Sequence, residues 1–129
     1  MLSDAEAEAA RLPISDVLMK TIHEEGVGAA VQQYHDLKAA QPAKYDFSAD
    51  DLIDLGYRLL GTKRISDAIE IFTLSVETAP DDYNTYNSLA EAYMDHGDKG
   101  PAIKNYKKSL ELYPNDTSAV EKLKQLEAP

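Results

Sequence analysis

Apolar residues recur along most of this chain at the three- and four-residue spacing of helices buried on one face. Ile14, Val17, Leu18, Thr21 and Ile22 make one stripe, and Val27, Ala30, Val31, Tyr34 and Leu37 the next. Leu52, Leu55 and Leu59 follow, then Ala68, Phe72 and Ser75, then Tyr86, Leu89, Ala90 and Tyr93, then Ala102, Tyr106 and Ser109. Val120, Leu123 and Leu126 carry a last stripe. The pattern predicts seven main helices: three antiparallel pairs over about 13–42, 48–80 and 82–114, and a single helix over 116–127.

The residues between the stripes predict where each helix begins and stops. Gly26 and Gly28 mark the turn inside the first pair. Ser48, with acidic residues behind it, is an N-cap, and the helix it opens runs to about Leu60 with Gly61 as terminator. Ser66 or Asp67 opens the partner helix, which reaches Thr78 or Ala79. Asp82 caps a helix to about Asp95, broken by Gly97. Asp98 caps the next, with Pro101 in its first turn, where a missing N–H does no harm. Asp116 or Thr117 caps the last. Residues 1–12 form an Ala/Glu-rich lead-in in which Ser3 or Asp4 caps a short helix that Pro13 stops, or else an arm.

Pro80 and Pro114 stand 34 residues apart, and the same residue types precede each. Ala68 and Ala102 lie twelve before their proline, Phe72 and Tyr106 eight before, Ser75 and Ser109 five before. Leu55-Gly56 matches Leu89-Ala90. Counted back from Pro42, Ala30 and Tyr34 fall at the same offsets, and the longer step from Pro42 to Pro80 implies a four-residue insertion at Ala43–Phe47, where Tyr45 and Phe47 can tuck against the adjoining helices. A fixed period of this length marks a helical repeat array. Tyr86-x2-Leu89-Ala90-x2-Tyr93, Ala102-x3-Tyr106 and Pro114 resemble the tetratricopeptide repeat pattern, and the resemblance extends over about residues 11–127. It implies an all-α, right-handed tetratricopeptide-type α-solenoid whose three helix pairs end in a C-terminal capping helix. Small Gly56, Ala68, Ala90 and Ala102 let paired helices approach closely. The first repeat departs from the pattern at Leu18 and Thr21, which implies a wider helix pair. Lys124 stands where Gly56 and Ala90 stand, tolerable only on a helix with no following partner, as a solenoid cap requires.

Composition narrows the function classes. Asp plus Glu outnumber Lys plus Arg by 23 to 13, a formal net charge of −10 that runs the length of the chain. Such a balance repels phosphate backbones, so no nucleic-acid partner is expected, and neutral or basic protein segments are favoured. No apolar run approaches the ~20 residues of a membrane helix, so no membrane partner is expected. The acidic start lacks a signal peptide's apolar middle, which predicts a cytoplasmic chain if Met1 is native, and a periplasmic or secreted one if the segment derives from an exported protein.

Catalytic chemistry finds no foothold. Cysteine is absent, and so are G-x-S-x-G, S-x-x-K, H-E-x-x-H and a phosphate-binding glycine loop. His23, His35 and His96 do not converge with other ligands as a metal requires. No enzyme activity, cofactor or metal is expected. Asp50, Asp51 and Asp54 favour a helix N-terminus electrostatically, and Lys104, Lys107 and Lys108 form a solvated face near a helix C-terminus.

The resemblance implies a concave groove lined by the first helix of each pair. It assigns Ser15, Met19 and Ile22 to the groove from the first pair, Asp50, Ile53, Tyr57 and Leu60 from the second, and Asn84, Asn87, Glu91 and Met94 from the third. Ser118, Glu121 and Gln125 extend it along the cap. The set mixes apolar anchors, amides that can bond a peptide backbone, and acids. It implies a non-enzymatic module that binds a peptide or protein segment. Some tetratricopeptide modules clamp a chaperone's C-terminal carboxylate with converging cations; Lys122 is an isolated cation here, so that activity is expected to be missing. Two alternatives stand beside this one. The run Ser15-Asp16-Val17-Leu18, with Gly26, Tyr34, Pro42, Tyr45-Asp46-Phe47 and Leu55-Gly56-Tyr57, resembles the repeat tails of bacterial serine hydrolases of the β-lactamase-like group, which implies an accessory that docks a catalytic domain. A short array with open ends can also self-associate as a homodimer.

Overall fold

The computed structural model describes residues 11–129. Seven helices follow in order: α1 (Ile14–Glu25), α2 (Val27–Ala40), α3 (Ala49–Gly61), α4 (Ile65–Thr78), α5 (Tyr83–His96), α6 (Lys99–Leu112) and α7 (Thr117–Glu127). They pair as α1/α2, α3/α4 and α5/α6, with α7 on α6. Between pairs, α3 touches both α1 and α5, while α4 touches α2 and α5. First helices thus line one layer and second helices the other, which is the right-handed tetratricopeptide-type solenoid. The predicted lead-in helix at Ser3 or Asp4 lies outside the described residues.

Volume fixes how closely the pairs approach. Phe72, fully buried on α4, lies so near the α3 backbone that a Cβ at Gly56 would stand 2.2 Å from its ring. One period on, Ala90, Tyr106 and Ala119 pack together as a small cluster with Met94, Leu110, Leu123 and Leu126 at its margin. The main cluster runs from Ile14 through the first two pairs to Leu89 and Ala92. The core therefore narrows toward the C-terminus, where Ala119 is the one buried residue of α7.

Several local expectations need correction. Gly28 is inside α2, and the first turn is made by Gly26 alone, at φ +97°. Gly61 is the last residue of α3, and Lys63 takes the left-handed conformation at φ 62°. The partner helix starts at Ile65, with Arg64 at the N-cap position and its guanidinium on Asp67 at 2.8 Å. Asp98 makes no side-chain cap; its carboxylate pairs with His96 at 2.9 Å. Asp82 and Asp116 do cap, accepting from the Asn84 and Ala119 amides.

The all-α pattern is also interrupted. Leu12–Pro13 (β1) and Tyr45–Asp46 (β2) pair in parallel, with the Leu12 amide donating to the Lys44 carbonyl at 3.0 Å. The residue before a proline avoids helical angles, so Leu12 is extended and its amide needs an external acceptor. The 43–47 insertion supplies it. Tyr45 and Phe47 are buried, the Phe47 ring meets Tyr34 edge-on, and the Tyr34 hydroxyl donates to the Phe47 carbonyl at 2.6 Å.

Candidate groove on the first-helix layer

Four residues occupy one repeat position on successive first helices: Met19 on α1, Tyr57 on α3, Glu91 on α5 and Gln125 on α7. The two middle members are joined. The Tyr57 hydroxyl donates to Glu91 Oε2 at 2.9 Å and lies 3.1 Å from Ser88 Oγ. Since the phenol proton goes to Glu91, the serine is the donor in the second contact. The Tyr57 ring meets Phe72 edge-on at 5.2 Å between centroids, yet 39% of the residue stays in solvent. Partial burial is the main force pushing this phenol up to about 12; the neighbouring Glu91 charge adds to it and the Ser88 hydrogen bond opposes it.

The remaining predicted groove residues fall on the same layer. Asp50, Asn84, Glu121 and Gln125 are exposed, and Ile53, Asn87 and Met94 are half-buried. Met19 and Ile53 lean against the main cluster, and Met94 against the C-terminal one, so each has a packing role as well as an accessible face. Two of the wider set do not line the groove. Ile22 is buried in the core, and Ser15 is buried and engaged: its amide and hydroxyl donate to the two carboxylate oxygens of Asp51, at 2.8 and 3.0 Å.

That contact assigns Asp51 a job the sequence did not disclose. Pro13 precedes α1 and offers no side-chain cap. Asp51, at the start of α3, caps α1 from outside. Burial raises its pKa, the Ser15 hydrogen bonds working against the shift and the Asp46 and Asp54 charges with it. Asp50 and Asp54 are exposed, as acids at a helix start commonly are.

Charge is segregated over the layer. The five ion pairs among the described residues join Arg58 to Asp16, Arg64 to Asp67, His96 to Asp98, Lys107 to Glu127 and Lys108 to Glu111. None engages Asp50, Asp54, Glu91, Asp95 or Glu121, all on first helices or the cap. A depression of about 440 Å³ lies away from this layer, lined by Tyr86, Lys104, Asn105, Lys107, Lys108 and Glu111, most of them on α6. Two of its three lysines are already in those ion pairs. Among the described residues no group of three or more His, Cys, Asp or Glu could hold a metal, and no helix is long and apolar enough to cross a membrane.

One side chain in this region is left incomplete. Tyr106 is fully buried, and its hydroxyl has no hydrogen-bond partner among the described residues. Burial raises its pKa, and the charged or polar groups that add to the effect are Glu91, Tyr57, Asp95 and Asp116, in that order.

Comparison with known proteins agrees with the architecture. The family model for the tetratricopeptide repeat matches residues 83–116. Among solved structures, the chain is similar to a crystal structure of MamA, with 21% identity and a TM-score of 0.59 over 85% of this chain and 62% of that one. It is similar to the first tetratricopeptide domain of Spaghetti (RPAP3), bound to the HSP90 peptide SRMEEVD, with 18% identity and a TM-score of 0.62 over 97% and 93% of the two chains. The second such domain of human RPAP3, in complex with the HSP70 peptide SGPTIEEVD, gives 16% identity and a TM-score of 0.65 over 95% and 99%. At these identities the likeness is one of fold. The chain spans under two thirds of that MamA chain. No curated protein matches it.

Proposed function

We propose that this chain is a non-enzymatic recognition module that holds a peptide or protein segment along the first-helix layer. The observation that carries the proposal is the Tyr57–Glu91 bond between adjacent repeats, which holds an exposed aromatic ring in the middle of a strip of amides, acids and half-buried apolar groups. Met19, Ile53 and Met94 give apolar contact, Asn84 and Asn87 can bond a peptide backbone, and Asp50, Glu91 and Glu121 select neutral or basic segments. Similar folds that bind peptides support this reading, as the two RPAP3 complexes do.

The ligand differs in kind from theirs. Peptides ending in Glu-Glu-Val-Asp bring several carboxylates, and a carboxylate needs converging cations or N–H donors. Here the assigned groove positions carry Asp50, Glu91 and Glu121 and no lysine or arginine. The test is a display of random short peptides probed with the purified protein and with a triple variant, Tyr57→Ala, Asn87→Ala and Met94→Ala, whose helical content is verified. Peptides retained by the wild type and lost by the variant support the groove. Equal retention by both refutes it.

The accessory reading, docking beside a serine hydrolase, makes a separate demand: an open frame upstream of Met1 that encodes an S-x-x-K domain. Tyr34, Tyr45 and Phe47, which contribute to that resemblance, are occupied here in packing the insertion, a structural role that accounts for them without a catalytic partner. Self-association is tested by light scattering on the sample used for peptide display.

A further inference from the structure

We infer that the segment held in the groove presents an arginine side chain, seated against the Tyr57 ring with its guanidinium on Glu91. The inference rests on the groove reading above and narrows it to one ligand chemistry.

Two observations converge on this spot. The first is an uncompensated carboxylate: Glu91 is half-buried, one of its oxygens accepts from Tyr57, and no lysine, arginine or histidine pairs with it among the described residues. A partly buried acid without a cation offers an incoming cation far more than a solvated surface acid does. The second is the ring itself. Tyr57 is pinned at its edge by Phe72 and at its hydroxyl by Glu91 and Ser88, so little side-chain freedom is left to lose when a ligand stacks on it. A planar cation beside an aromatic ring gains an electrostatic attraction that a neutral side chain lacks.

Asp95, exposed one turn further along α5, is likewise in no ion pair among the described residues. The two carboxylates call for positive charge. A guanidinium supplies it, with five N–H groups in a rigid fork. A lysine ammonium carries the charge but stacks poorly and is more strongly hydrated, so arginine is favoured over lysine, and lysine over neutral residues.

The test uses the whole chain and a library of random linear peptides blocked by acetyl and amide groups, so that no terminal charge contributes. Wild-type protein is compared with Glu91→Gln, which keeps an acceptor for Tyr57 while removing the charge, and with Glu77→Gln, an exposed acid on α4 outside the groove. The expected result is arginine enriched over lysine among retained peptides. Affinity for a fluorescein-labelled arginine peptide should fall about tenfold in Glu91→Gln, and much less in Glu77→Gln. Peptides that bind the groove and are lost with Asn87→Ala, but show no basic preference or no response to Glu91→Gln, overturn the arginine inference and leave the groove reading standing. If no peptide is retained at all, both fall.

Discussion

Gly56→Ala adds one methyl group and should separate the protein's glycines into two classes. At Gly56 the new carbon would lie 2.2, 2.5 and 2.6 Å from three atoms of the Phe72 ring. That ring cannot retreat easily: it is fully buried, and Tyr57 packs against it edge-on. Clearing the overlap takes a displacement on the order of 1 Å, and overpacking of a well-filled core costs about 1–3 kcal/mol. We take the upper part of that range, because the obstacle is a rigid ring. Against it stands the gain of about 1 kcal/mol from replacing glycine by alanine within a helix. The net expectation is a loss of about 2 kcal/mol, equivalent to roughly 6–10 °C in Tm for a chain of this size. Gly28→Ala and Gly100→Ala make the comparison, since a Cβ at either site meets nothing within 4 Å. Both should gain stability, by up to about 1 kcal/mol. Urea unfolding followed by far-UV circular dichroism measures all three. If Gly56→Ala proves as stable as the wild type, or shifts in the same direction as Gly28→Ala, the close approach of α3 and α4 is not a constraint and the packing argument fails.

Tyr106→Phe removes a buried hydroxyl with no partner among the described residues, so stability should hold or rise by about 1 kcal/mol; a loss larger than that in urea unfolding would show that the hydroxyl is bonded. Lys63→Gly relieves a left-handed residue at the α3/α4 turn and should raise stability by up to about 1 kcal/mol, whereas Lys63→Ala should not. Asp51 has its pKa raised in the fold, so the folded state binds its proton more readily than the unfolded chain does. Its contribution to stability therefore grows as pH falls through the folded pKa toward 3.8. Wild type should gain on Asp51→Asn over that acidic window, and a constant difference between the two would refute the assignment. Titration with a peptide ending in Glu-Glu-Val-Asp should show no saturable binding in calorimetry; micromolar, salt-sensitive binding would contradict the acidic groove.

What could be read in advance was what repeats. Small residues at Gly56, Ala90 and Ala102, and rings at Tyr34, Phe72 and Tyr106, recur because each pair of helices solves the same packing problem, so periodic side-chain volume reveals the architecture. The pairing of Tyr57 with Glu91 carried a readable signal as well, since the two stand one period apart on neighbouring first helices. Contacts that occur once carry no such trace. Nothing local to Asp51 shows that it caps a helix beginning 37 residues earlier at Ile14, because the need arises at Pro13 and is met through space. The left-handed turn fell on Lys63 rather than Gly61 because α3 runs on through Gly61, with Thr62 and Lys63 closing the turn on the α3 carbonyls. Asp98 had two partners within reach, the α6 amides and His96, and its residue type does not decide between them.

The cap that Asp51 extends to α1, the β1/β2 pairing and the Tyr34–Phe47 bond all tie the first helix pair to the second. In many repeat arrays a unit can be deleted, duplicated or exchanged because each contributes the same interface. Here the first unit is not interchangeable. Separated from residues 44–51, it would lose the acceptor for its leading amide, the partner of its central phenol and the cap of its first helix together. A chimaera that joined α1 and α2 directly to α5 should therefore leave them unfolded, even though the groove-forming helices would be in the right order.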